Sequence, residues 1–130
     1  MANIVVIGAG LAGLPAAYEL RHLLPSNHRV TLISSEPKFT FIPGLIQVAL
    51  GLKPLEHVQL DLSRLAQRHH LDWVPGRVTV LDPQTRSITV EGERTIEYDY
   101  VAIATGASLA FDQIPGLGPH GGYTQSVCTP

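Results

Sequence analysis

Gly8, Gly10 and Gly13 spell G-x-G-x-x-G directly behind the apolar, β-branched run Ile4–Ile7. A chain that passes from a buried strand into a helix through such a turn has few folds open to it. Gly8 permits the tight turn off the strand. Gly10 lets a pyrophosphate approach bare backbone, and Gly13 lets helix and strand pack closely. The following helix then offers free N–H groups and a partial positive charge to the phosphates. The expected phosphate-binding residues are Gly8, Gly10, Leu11, Ala12 and Gly13. A tight turn with no ligand is the plain alternative, and the context of the motif argues against it.

That context is a strand–helix–strand unit. Gly13, Ala17, Leu20 and Leu24 fall on one face of a helix spanning Leu11 to Leu24. Pro15 lies in its first turn, where a missing N–H costs nothing. Pro25-Ser26-Asn27 stops the helix, and Arg29–Ser34 reads as a second buried strand. An acidic residue commonly ends that strand and holds the adenosine ribose hydroxyls. Here Ser34 and Ser35 come first and Glu36 follows. Ser34 is expected to hydrogen-bond the ribose, with Glu36 reaching back; an ordinary solvated turn beside Pro37 is the other reading of Glu36. No arginine follows the strand to meet a 2′-phosphate, which disfavours NADP.

Farther on, the period changes. Phe39–Gly51 is apolar but holds Pro43 and Gly44, so it reads as an extended piece, a turn and a short helix. Asp61 caps a helix through Leu62, Leu65 and Ala66 to His69, and Leu71–Val74 is a short strand. Residues Arg77 to Tyr98 alternate, with Ile88 and Val90 on one side and turns at Asp82-Pro83 and Glu91-Gly92. They predict a three-stranded antiparallel meander. Tyr100–Ala104 reads as a buried strand again, stopped by Thr105-Gly106, and the Pro- and Gly-rich stretch from Phe111 reads as loop.

The bulk composition excludes several functions. With 130 residues, 45% hydrophobic and 15% charged, and a net charge of −2, the chain fits one domain with a real core. No basic face points to nucleic acid. Cys128 is the only cysteine, so no internal disulfide can form. His69 and His70 are adjacent and point apart, as at a solvated helix end, so no metal site is expected. No secretory signal and no long apolar run is visible, which places the chain in the cytoplasm or at the membrane periphery.

A Rossmann half followed by a meander and then a strand ending in Ala104-Thr105-Gly106 resembles the FAD-binding plan of glutathione-reductase-like flavoproteins. In that plan the Ala-Thr-Gly turn lies under the FAD phosphates and the meander is a side excursion. The stretches GAGLAGLPAAYEL, VTLIS, F-x-P with VALG behind it, YDYVAIATGASLAF and QSVCT occur in order along the whole chain. Together they are similar to sulfide:quinone oxidoreductases. Type II NADH:quinone oxidoreductases and the flavoprotein subunit of sulfide dehydrogenase share much of the pattern.

The resemblance implies an α/β fold: a Rossmann-like FAD-binding half-domain whose parallel sheet carries the inserted meander. Residues 1–110 would be the N-terminal part of a discontinuous FAD-binding domain, and residues 111–130 a loop and the start of the next segment. It implies oxidation of sulfide, with electrons passing through FAD to a quinone. The family's cysteine pair and membrane-binding segment would lie in parts absent from these 130 residues, leaving the chain by itself inactive. Cys128 matches a third family cysteine near the flavin side of the sulfide path, a candidate catalytic residue; a half-buried tail thiol is the other reading. Family position also puts Val78 backbone against adenine and Pro43 near the flavin. An incomplete sheet wall would favour a homodimer. A non-catalytic nucleotide-binding module is the reading from another class.

Overall fold

The computed structural model describes residues 1–116. Along the chain run β1 (Asn3–Ile7), α1 (Gly13–Leu23), β2 (Arg29–Ser34), β3 (Lys38–Thr40), α2 (Leu45–Ala49) and β4 (Gln59–Asp61). They are followed by α3 (Leu62–Arg68), β5 (Asp72–Pro75), β6 (Val78–Asp82), β7 (Ser87–Val90), β8 (Arg94–Glu97) and β9 (Tyr100–Ile103). Two compact units form: Met1–Phe39 with Asp61–Gly106, and Thr40–Leu60 with the segment from Ala107.

The first unit is built on a parallel sheet of order β5-β2-β1-β9. Its central strands are apolar throughout because both faces are covered. On one face Val6, Val30 and Leu32 pack with Leu14 and Ala17 of α1 and Leu62 and Ala66 of α3. On the other, Val5, Ile7, Ile33 and Val74 pack with Ile88, Val90 and Tyr98. The meander is a separate three-stranded antiparallel sheet inserted before β9, as expected, and it covers this face of the parallel sheet. Its alternation sets the face: Ile88 and Val90 are 0% and 1% exposed. Full burial of such side chains is worth about 1.5–3 kcal/mol each.

Local signals account for most element ends. The α1 helix starts two residues later than its apolar period suggested, because Gly10, Leu11 and Ala12 are used by the turn. Arg21 closes its far end by donating to the carbonyls of Leu24, Pro25 and His28. Asp61 caps α3, accepting from the Arg64 N–H at 3.0 Å. The Ser63 hydroxyl, and after it that N–H, hold the Asp61 carboxyl below the usual range. In the β6–β7 turn the Thr85 and Gln84 N–H groups do the same for Asp82. His69 and His70 are exposed at the helix end, as expected, and the His69 ring also stacks on Tyr18 of α1, with centroids 4.1 Å apart. Burial there pushes the Tyr18 phenol up, while Arg68 pulls it down.

The expectation of a buried final strand fails for half its residues. Tyr100 and Ile103 of β9 are 68% and 66% exposed. Their strand is the edge of the sheet, pairing only with β1 among the described residues. An edge strand keeps a row of unpaired backbone groups and lacks a neighbour to shield its side chains.

In the second unit, Ile42–Gly44 forms a 3₁₀ turn that leads into α2, as Pro43 and Gly44 suggested. The Phe41 N–H donates to the Val58 carbonyl at 2.8 Å, which folds this excursion back on itself. Gly44 packs against Val58, leaving no room for a side chain there.

Candidate functional site

The parallel strands end together. Ile7 pairs with Ile33 and Ile103, and Ser34 with Pro75. Three backbone hydrogen bonds of 2.8 Å extend this alignment: Gly8 N–H to Ile33, Ala104 N–H to Ile7, and Gly76 N–H to Ser34. In open α/β sheets a ligand binds in the crevice beyond these carboxyl ends. Here that crevice is a cavity of about 350 Å³. Gly8, Ser34, Ser35, Val78 and Thr105 of the expected residues line it.

The glycine turn forms the adjoining rim, and its three glycines differ. A Cβ on Gly8 would strike the Ala104 carbonyl, and its φ of +101° is one that other residues avoid. A Cβ on Gly13 would strike the Gly8 carbonyl and lie 3.2 Å from the Ala104 Cβ. Both positions are closed by the fold itself. A Cβ on Gly10 would meet nothing within 4 Å. Leu11 beside it is exposed, and α1 has neither an acidic residue in its first turn nor a side-chain cap at Ala12. Bare backbone, an open approach and an uncapped helix start fit the pyrophosphate of a dinucleotide.

At the end of β2, Ser34 is almost buried. Its hydroxyl donates to the Glu36 carbonyl at 2.8 Å and accepts from the Trp73 indole N–H at 2.9 Å. Glu36 thus enters this corner through its backbone, and its side chain is exposed. Ala104 holds the turn between β1 and α1, and Gly106 leaves β9 with a φ of +73°. Pro43 belongs to the second unit, and Cys128 lies outside the described residues.

Sequence order hid two wall residues, Gly76 and Arg77. No arginine follows β2 along the chain, yet the crossing from β5 to β6 brings Arg77 into the same wall as Ser34. Its backbone is held by Glu91, whose carboxylate accepts the Arg77 N–H at 3.1 Å. The Pro75-Gly76 pair was a usable turn signal; its nearness to Ser34 was not readable locally.

The same layout is found in known proteins. The chain is 34% identical over 127 residues to the sulfide-quinone reductase of Aquifex aeolicus, covering 98% of this chain and 28% of that protein. The X-ray structure of the sulfide:quinone oxidoreductase from that bacterium superposes with a TM-score of 0.87 at 33% identity, over 99% of this chain and 29% of the other. External alternative NAD(P)H-ubiquinone oxidoreductase B2 of Arabidopsis thaliana is 30% identical over 126 residues, 88% of this chain and 21% of that protein. The chain thus spans under a third of the length of these relatives. No helix among the described residues is long and apolar enough to cross a membrane. With residues 2–130 matching the family pattern, the strand, the glycine turn and the strand-end cavity have a common origin: the chain belongs to the pyridine nucleotide-disulphide oxidoreductase family.

Proposed function

We propose that this chain is the FAD-binding portion of an oxidoreductase that takes electrons from sulfide and passes them to a quinone. The observation that carries the cofactor assignment is Gly10, the one position of the glycine turn that the fold leaves open. In this reading Gly8, Gly10, Leu11, Ala12 and Gly13 hold the pyrophosphate, and Thr105 and Gly106 bound it from the end of β9. Ser34 and Ser35, near Glu36, meet the adenosine ribose, and Val78 backbone meets adenine. Ala104 keeps the turn in place. Bound FAD would supply two-electron transfer between donor and acceptor. The residues here bind and orient it.

Sulfide as the donor rests on the similarity to the Aquifex aeolicus sulfide-quinone reductase along 98% of this chain. Cys128 is the thiol this chain would contribute to that chemistry. NADH as the donor is the second reading, favoured by the 30% identical Arabidopsis thaliana oxidoreductase. Quinone reduction needs parts that these relatives have in addition, so this chain alone is expected to bind flavin without turnover. The exposed edge of β9 favours a homodimer, and a monomer at high concentration in sedimentation equilibrium would count against it.

The test is to mix the chain with FAD and pass it through a gel-filtration column. Retained flavin with a shifted visible spectrum is expected; flavin eluting free overturns the cofactor assignment. Anaerobic addition of sulfide and a quinone analogue to the flavin-loaded chain then tests for turnover: none is expected from these 130 residues, and turnover would overturn that part of the reading.

A further inference from the structure

The Ser34 hydroxyl has one hydrogen-bonding site left. A serine hydroxyl offers one donor and two acceptor sites. Here its proton goes to the Glu36 carbonyl and one lone pair takes the Trp73 N–H. The direction of this relay is fixed at both ends, because an indole N–H only donates and a carbonyl only accepts. Ser34 is 7% exposed and lines the cavity, so it meets a ligand with its remaining lone pair and no proton. Donating to Glu36 also makes that oxygen a better acceptor.

Resting on the cofactor reading above, we propose that Trp73 is a positioning residue of the adenosine pocket. With the Glu36 carbonyl, it holds Ser34 as a neutral, acceptor-only oxygen that selects a ribose carrying a free hydroxyl. A carboxylate at the end of β2 would accept in the same sense. The relay gives a serine that polarity without a charge. Trp73 reaches Ser34 from β5, 39 residues away in sequence, so the polarity exists only once β2 and β5 have paired.

Binding of ADP and of 2′,3′-dideoxy-ADP to the chain, measured by calorimetry, tests this. The dideoxy compound lacks both ribose hydroxyl donors. Wild type should prefer ADP by about three- to tenfold, the worth of one net hydrogen bond. In Trp73→Phe the preference should fall to within about twofold while ADP still binds, because the Ser34 oxygen loses the indole anchor that aims its remaining lone pair at the ribose. A merely structural role for Trp73 would weaken both nucleotides together and leave the ratio unchanged, and that result overturns the proposal. Ser34→Ala should also abolish the preference, and it decides the matter if Trp73→Phe does not fold. Trp73 is the only tryptophan, so its emission in wild type gives a second reading of occupancy. If neither FAD nor ADP binds wild type, the cofactor reading falls and this one with it. If both bind and wild type shows no preference for ADP, only this one falls.

Discussion

Gly13 and Gly10 lie three residues apart in one turn and do opposite things. Gly13 is closed by its own fold, with the Gly8 carbonyl and the Ala104 side chain where its Cβ would go. Gly10 faces open space. The first glycine therefore lets the helix approach the sheet, and the second leaves room for something the chain does not contain. A motif written as three equal letters thus separates into structural and ligand-facing positions.

The largest effect should come from forcing a side chain into the closed position. Gly13→Ala should lower stability by about 3 kcal/mol or prevent folding, because the obstacle is backbone and cannot rotate away. Thermal unfolding followed by circular dichroism reads this. A midpoint within a few degrees of wild type would break the distinction. Gly10→Val should do the reverse. Its backbone lies outside the left-handed region and its surroundings are empty, so stability should change by about 0.5 kcal/mol or less. FAD affinity should meanwhile fall by about a hundredfold, as the pyrophosphate loses its approach. Normal flavin occupancy in Gly10→Val would remove the cofactor from this turn.

Two smaller effects sharpen the comparison. Adding Ala104→Gly to Gly13→Ala removes the side chain that would stand 3.2 Å from the new methyl and leaves the Gly8 carbonyl. It should restore less than about 1 kcal/mol of what Gly13→Ala loses; full rescue in denaturant titrations would make Ala104 the obstacle. The smallest effect concerns acid, away from the turn. The Asp61 and Asp82 carboxyls are held below their ordinary value of 3.8. What they add to stability is therefore present above that value and lost as pH falls through their lowered folded values. Asp61→Asn should make unfolding less steep with acid while leaving FAD binding at neutral pH unchanged. A loss of flavin in that variant would tie α3 to the site.

The parts legible in the sequence share a local cause. β1, the glycine turn, β2 and the Asp61 cap each depend on residues within a few positions of one another. The alternation of Ile88 and Val90 was likewise readable, since two-residue periodicity marks the inward face of a half-buried strand. It did not say what they would pack on. Nor did the apolar run Tyr100–Ala104 reveal that its strand is an edge. A run of β-branched and small residues looks the same whether or not a neighbour covers it.

Ser34 marks the same boundary at the site. Its place at the end of β2, where an acid is usual, was evident from spacing alone. The hydrogen bond it donates to the Glu36 carbonyl, the one it accepts from Trp73 and its nearness to Arg77 were not. By itself, the sequence determined a strand–turn–helix with room for a pyrophosphate at Gly10, because the chain must turn there whatever it later packs against. Only the tertiary structure decided which glycines are closed, which face the meander covers and which way the Ser34 hydroxyl points. Those depend on strands far apart in sequence meeting at their carboxyl ends, and no local pattern encodes that meeting.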